Sequence, residues 1–337
     1  MPNPEARPPA ARRRVLATLA ALPVLFSPVP RAARAETLAE PFPQRSVRLL
    51  VPFPPGQAAD IAARLLADQL SRRWGPGAVV DNRPGAGGAI GMEAAARAPA
   101  DGHTLLYASS GPTVILPAVS DRLSYDPLRD FIPVARVLDT PLMLTASTNS
   151  GFRTLADLLA RARATEVNYG SGGFASTQHM AGALLAAKAG LKLNHIPYRG
   201  SAQALADIVA GNIPVMVDSV ASSLPMIREG RAVALALCGP TREPALPGIP
   251  TIAEAGVPGY EAVAWGGVML PAGTPPALAA TLSDTVLAIL ADPAVQARIR
   301  ETGQTPSPGP AAEFGRFVAA ELTKWREVAR AANIRLE

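Results

Sequence analysis

Short apolar runs alternate along this chain with stretches in which apolar residues recur every three or four positions, the pattern of strands and helices taken in turn. Residues 47–53 (VRLLVPF) form one such run, with Pro43 before it and Pro54-Pro55-Gly56-Gln57 after it, so a buried strand and then a loop are predicted. Ile61, Leu65, Leu66, Leu70 and Trp74 follow at helical spacing, with Asp60 near the start, where an acid suits the helix dipole. Gly75-Pro76-Gly77 ends that helix. A strand at 78–81, a loop at 82–88, a helix at 90–98 and a strand at 103–108 come next, and Ser109-Ser110-Gly111-Pro112 breaks the pattern. This spacing describes a βαβ series and hence a mostly parallel sheet.

Two apolar strands at 132–138 and 142–146, separated by Pro141, mark a crossing segment. A second series then begins. Thr154-x-x-Asp157 is a capping signature for a helix to about residue 163. A strand at 167–169 runs into the loop Gly170-Ser171-Gly172-Gly173-Phe174-Ala175-Ser176-Thr177-Gln178-His179, and a helix continues to residue 189. Strands at 194–197, 215–217 and 232–238 alternate with helices at 202–210 and 222–229. A proline-rich irregular stretch (244–259), a strand (263–270) and helices at 275–290, 293–302 and 311–331 close the chain. The expected organisation is an export signal at 1–35, one lobe from 36–140 plus 238–337, and a second lobe at 141–237.

Charge changes the picture only at the start. Residues 1–35 carry six arginines and one acid, a net of +5, and the whole chain is also +5, so the remainder balances at zero. A neutral body with 5% aromatic residues argues against nucleic-acid binding. Arg12-Arg13-Arg14, the apolar stretch 15–26 and Ala33-Arg34-Ala35 read as an export signal, predicting a mature start at Glu36 and a periplasmic location. The general secretory route is favoured over a twin-arginine route. Cys238 is the lone cysteine, excluding an intramolecular disulfide, and its apolar setting reads as a core thiol.

In parallel α/β sheets ligands bind beyond the carboxyl ends of the strands. Four loops have that position and a binding composition: Pro54, Pro55, Gly56 and Gln57; Ser109, Ser110 and Gly111; Ser171, Gly172, Gly173, Ser176, Thr177 and Gln178; and Tyr198, Arg199 and Gly200. Backbone N–H groups and hydroxyls there suit a carboxylate, with no buried counter-charge needed. His179 reads either as a ligand contact or as a packing residue. Asp218 reads as a contact or as a helix N-cap, and Arg199 as an anion partner or a solvated cation. Enzyme signatures fail. Residues 85–90 (GAGGAI) place Ile90 where a dinucleotide fingerprint needs glycine. Ser171 directly follows Gly170, which is no nucleophile elbow. There is no P-loop, and His103, His179 and His195 lack metal-ligand spacing. No cofactor is expected.

The segments 48–56 (RLLVPFPPG), 82–88 (NRPGAGG), 101–105 (DGHTL), 125–127 (YDP), 130–134 (DFIPV), 170–182, 197–201 (PYRGS) and 250–256 (PTIAEAG), in this order, resemble the tripartite tricarboxylate transporter substrate-binding proteins, the Bug family of periplasmic solute receptors. The resemblance covers residues 43–336. It implies an α/β, two-lobed, type II periplasmic-binding-protein fold, with mixed, mostly parallel sheets flanked by helices, closing on its ligand. It also implies a small carboxylate held by the loops 54–57 and 171–178, partly through waters, with Tyr198 and Asp218 facing the rest of the ligand. Gln57 departs from the usual second glycine of the first loop, and Arg199 replaces the commoner lysine.

The expectation is therefore a monomeric receptor, not an enzyme, that binds a small organic acid or amino acid and serves a membrane permease. A sensor kinase as partner, or a periplasmic hydrolase or lyase, are the alternatives.

Overall fold

The computed structural model describes residues 42–336. The export signal expected at 1–35 lies outside them.

The element order is β1 (Val47–Val51), α1 (Ala58–Arg73), β2 (Ala78–Asn82), α2 (Ala89–Ala96), β3 (Thr104–Ser109), a π-helical turn (Gly111–Ile115), α3 (Leu116–Val119), β4 (Phe131–Thr140), β5 (Leu142–Ser147), α4 (Leu155–Ala164), β6 (Val167–Ser171), α5 (Thr177–Ala189), β7 (Leu193–Pro197), α6 (Ser201–Ala210), β8 (Val215–Ser219), α7 (Val220–Arg228), β9 (Ala232–Leu237), β10 (Ala264–Pro271), α8 (Pro276–Leu290), α9 (Pro293–Glu301), β11 (Thr305–Pro310) and α10 (Ala311–Ala331). The predicted capping box is present: Thr154 accepts from the Asp157 N–H while the Asp157 carboxylate accepts from the Thr154 N–H. Two predictions need correction. Gly111-Pro112 starts a helical turn instead of breaking the chain, because proline suits the first turn of a helix. The proline-rich segment 305–310, between two predicted helices and without a predicted strand, forms β11, at a sheet edge where missing N–H groups leave no partner unsatisfied.

Two sheets result, ordered β11-β4-β10-β3-β1-β2 and β7-β6-β8-β5-β9. In the first, β1 runs parallel to β2 and β3; in the second, β6 runs parallel to β7 and β8. The other pairings, involving β4, β5, β9, β10 and β11, are antiparallel. The sheets are thus mixed, with a smaller parallel share than expected. The crossing strands cause this, since they traverse the molecule and enter each sheet reversed.

β4 lies in the first sheet and β5 in the second, with Pro141 between them; the chain returns between β9 and β10. One apolar core joins the two sheets. It runs from Leu50, Met92 and Leu106 through Leu144, Met180 and Leu184 to Phe314, Leu322 and Trp325 of α10. A second core of Val47, Leu49, Leu66, Leu70, Val268, Leu282 and Val286 fills the opposite face of the first sheet under α1 and α8. Cys238 is a fully buried free thiol, pushed up to about 12 by burial.

Candidate functional site

The parallel trios place the chemistry. Because β1 lies between β2 and β3, the loops after β1 and β3 leave one edge of the first sheet side by side. Because β6 lies between β7 and β8, the loop at 171–176, the loop at 198–200 and Asp218 leave one edge of the second. A hydrogen bond between the two edges brings them together: Ser110 Oγ, just past β3, and Thr177 Oγ1, opening α5, lie 3.0 Å apart, both buried.

In the first loop Pro54, Pro55, Gly56 and Gln57 are exposed. Gly56 has φ +84°, a conformation that favours glycine. Its N–H donates to Asp60 Oδ2 at 2.8 Å, so this amide is not free for an anion. Gln57 is the N-cap of α1 with φ −78° and ψ 162°, ordinary extended backbone. Replacement of a glycine by Gln57 therefore strains nothing. The amides beyond it, at the start of the 16-residue α1, have no partner within the helix and lie at its positive end. Asp60 anchors the loop from behind. It also accepts from Arg64 Nε at 2.9 Å and from Asn82 Nδ2 at 2.9 Å. Burial pushes its carboxyl up, but the bonds from Arg64, Gly56 and Asn82 together outweigh burial and hold it below the usual carboxylate value.

The second loop is knit differently. Ser171 Oγ contacts His195 Nε2 at 2.7 Å, donates to the Gly173 carbonyl at 2.9 Å and accepts from the Gly173 N–H at 3.2 Å. Ser176 caps α5 by accepting from the His179 N–H at 3.1 Å, and donates to the Gly173 carbonyl at 2.7 Å. Gly172 packs close to Ser201, where a Cβ would approach the serine hydroxyl to 3.3 Å, so the 171–176 and 198–200 loops touch. Gln178 is half-buried on the first turn of α5.

His179 requires the largest revision. Its ring is buried, its Nδ1 accepts from the Ala175 N–H at 3.0 Å, and it stacks on His195 with ring centroids 3.7 Å apart. Two of the three histidines that the sequence sets far apart, His179 and His195, are thus brought together in one stack, without a metal arrangement. Among the described residues no group of three His, Cys, Asp or Glu could hold a metal ion. Burial lowers His179 to about 4; burial and the neighbouring His179 lower His195 to about 3. Both rings are neutral at pH 7.

Tyr198 is also revised. Its hydroxyl donates to Asp207 Oδ2 at 2.7 Å, on its own following helix, and burial together with this carboxylate raises it to about 12. Its ring, not its hydroxyl, is left for contact with the site. Gly200, at φ +121°, precedes α6, and Arg199 is exposed.

Asp218 is fully buried and accepts from Ser201 Oγ at 2.6 Å, Ser222 Oγ at 2.7 Å and Ser223 Oγ at 3.4 Å. Burial outweighs these hydroxyls and raises its carboxyl. It is not the N-cap of the next helix; Ser219 is, accepting from the Ser222 N–H. A carboxylate ringed by hydroxyls, with no cation bonded to it, keeps acceptor capacity for an N–H or O–H group.

Some polar groups here escaped the sequence reading. Ser201, Ser222 and Ser223 converge on Asp218, a convergence only tertiary folding creates. Tyr107, read only as part of an apolar strand, carries a buried hydroxyl against Gly266, with no hydrogen-bond partner. Ser109 Oγ, opposite Gly266 across the sheet, is likewise buried and unpartnered, as are Thr113 Oγ1 and Trp265 Nε1. Unpartnered buried polar atoms call for an explanation, such as water or ligand.

Comparison with known proteins fits this geometry. A protein from Pseudomonas sp. strain P51, described as a UPF0065 protein in the tcbD-tcbE intergenic region, is 41% identical over 61% of this chain and 60% of its own length. Protein BugT of Bordetella pertussis is 34% identical over 90% of this chain and 94% of its own. Among solved structures, an R. palustris protein with adipate superposes with a TM-score of 0.77 at 36% identity, covering 88% of this chain and 99% of that one. MatC from Rhodopseudomonas palustris with bound malate does so with a TM-score of 0.71 at 29% identity, covering 85% and 99%. Solved structures of like fold also include the periplasmic binding protein BugD, at 29% identity, and a TctC solute binding protein from Polaromonas, at 25%, so the hydrolase or lyase alternative loses its footing. Residues 62–334 match the family described as the tripartite tricarboxylate transporter family receptor, and the chain belongs to that family.

Proposed function

We propose that this protein is a periplasmic receptor that captures a small carboxylate between the loops at 54–57 and 171–178 and delivers it to the membrane permease of a tripartite tricarboxylate-type transporter. The observation that carries the reading is the buried Ser110–Thr177 hydrogen bond, which joins two loop edges from different sheets at the first turn of α5; α1 likewise starts from the loop after β1 on the first of those edges. Such helix starts offer N–H groups and positive dipole ends, which bind an anion without a buried counter-charge. Relatives with adipate and with malate bound support a carboxylate ligand. On this reading the lobes are residues 36–140 with 238–337, and 141–237, and they close about the two crossings. Ser109, Tyr107 and Asp218 then supply polar contacts that select the ligand, with Asp218 accepting from a ligand hydroxyl or ammonium group.

Thermal shift tests it. A specific carboxylate at 100 times its Kd stabilises a receptor by about 2.7 kcal/mol. A panel of mono-, di- and tricarboxylates and amino acids is expected to contain at least one such ligand, and a panel that shifts nothing removes the proposal. Asp218→Ala is expected to reorder affinities across the panel more than it lowers stability; an unchanged order takes Asp218 out of the site.

A further inference from the structure

His179 and His195 sit behind the binding loop, and their bonds run into the loop itself. That loop contains Ala175 at φ +55°, a conformation an alanine adopts at a cost, two residues after Gly173 at φ +147°. Something must hold it. Ala175 N–H donates to His179 Nδ1 at 3.0 Å, and Ser171 Oγ, which binds both the N–H and the carbonyl of Gly173, meets His195 Nε2 at 2.7 Å. The two rings lie 3.7 Å apart at 16°. Tyr169 backs the pair, its ring 5.1 Å from His195 and its hydroxyl donating to the His179 carbonyl at 3.0 Å. Phe174 lies 5.1 Å from His179 on the loop side. Among the described residues, Tyr169 is the titratable group that packs beside the rings, and no carboxylate or cation bonds to them.

We propose that His179 and His195 are positioning residues: a stacked, uncharged imidazole pair that fixes the Ser171–Ala175 loop in its ligand-ready shape without touching the ligand. The inference rests on the receptor reading for its consequence, but its structural content stands apart from it. Acceptance at Nδ1 places the His179 proton on Nε2. Protonation would set an N–H against the Ala175 N–H and bring charge onto a ring stacked on another imidazole. The low values of both histidines agree with an uncharged stack.

The two nitrogens in use differ, which allows a crossed test. An asparagine amide oxygen reaches the place of Nδ1, and a glutamine amide reaches the place of Nε2. His179→Asn and His195→Gln therefore preserve the contacts, whereas His179→Gln and His195→Asn remove them. Two readouts are taken: amide exchange at Ala175 by NMR without ligand, and affinity for adipate and malate as probes. The contact-removing variants are expected to lose Ala175 protection and to weaken probe binding about three- to tenfold, about 0.7–1.4 kcal/mol. The contact-preserving pair is expected to stay within about twofold of the parent.

Equal weakening by all four variants with Ala175 protection intact means that the rings touch the ligand, and the proposal falls. No change in either readout in the contact-removing pair also overturns it. If the parent binds neither probe nor any other carboxylate, the receptor reading fails, while Ala175 exchange still decides the positioning role. Should a contact-removing variant not fold, the imidazole ¹⁵N spectrum of the parent decides: an unprotonated Nδ1 on His179 at neutral pH supports the pair, and a protonated one overturns it.

Discussion

The loop at Gly56 and the loop at Gly173 occupy equivalent places, each leaving a central parallel strand and entering a helix, yet opposite chemistry holds them. Behind Gly56 stands a carboxylate: Asp60 accepts from the Gly56 N–H, the Arg64 guanidinium and the Asn82 amide. Behind Gly173 stand neutral groups: two imidazoles and the hydroxyls of Ser171 and Ser176. The difference follows the partners, since Asp60 and His179 are equally buried, at 2% and 3% exposed. Asp60 is bonded by the Arg64 guanidinium, which reaches solvent at 53% exposure and offsets the buried charge. His179 is 3% exposed, and a charge there would meet a desolvation penalty with no counter-ion. Where a cation can reach a buried carboxylate, an ion pair can anchor a loop; where none does, neutral donors and acceptors avoid the unpaired charge.

The comparison can be broken most forcefully at Asp60. Asp60→Ala strands the Gly56 N–H, the Asn82 amide and Arg64, and is expected to lower stability by about 3 kcal/mol in urea denaturation. Asp60→Asn is expected to retain part of that. A loss below about 1 kcal/mol for the alanine variant would show that the charged anchor is dispensable.

The neutral anchor is tested next through its backing. Gly182 of α5 packs against the Tyr169 ring so closely that a Cβ would collide with it. Gly182→Ala must displace Tyr169, at an expected cost of about 2 kcal/mol, and with it the histidine stack. Circular dichroism melting reads the cost, and raised amide exchange at Ala175 reads the coupling to the loop.

Acid separates the anchors further. Both histidines are held below their free value of 6.5, at about 4 and about 3, so the unfolded chain takes up protons first as pH falls. The stability they contribute is complete above pH 6.5 and is lost as pH falls through their folded values. Asp60 is held below 3.8, so its contribution persists to lower pH, complete above 3.8 and lost only beneath it. Asp218, raised by burial, has the opposite sign: its contribution lies below 3.8 and fades as pH rises. Replacing both histidines by the contact-preserving pair is therefore expected to flatten the stability profile between about pH 6.5 and 4 by about 1 kcal/mol. An unaltered slope in urea titrations would remove the histidines from the acid response.

The smallest effect is expected at Gln57. Its backbone is extended, so Gln57→Gly relieves no strain and is expected to change stability by a few tenths of a kcal/mol. A gain above about 1 kcal/mol would mean that the loop prefers the glycine it lacks.

Much of this arrangement is legible in the residue order. Runs such as VRLLV, bounded by prolines and glycines, are strands because a continuous apolar segment must be covered on both faces. Ile61, Leu66 and Leu70 mark α1 by spacing alone, and Thr154 with Asp157 marks the start of α4. Those are local signals, decided by residues within a turn of one another. The loops, too, announce themselves by composition, and so does the family. Glycine and serine after a strand are visible without a fold.

What the sequence could not determine is which polar groups meet. Pro306 and Pro308 argue against a strand locally, and only the exposed edge beside β4 makes one of them. His179 reads from its place at a helix start either as a ligand contact or as a packing residue, and the sequence does not choose between them. Its buried stack on His195, sixteen positions along the chain, arises because β6 and β7 pair in parallel and bring Tyr169 beside His195. Asp218 acquires its hydroxyl ring the same way, from α6 and α7 converging on β8. Periodicity and turn chemistry act over a few residues and so are written in the chain. Burial, pairing and desolvation depend on neighbours distant in sequence, and only the tertiary structure decides them.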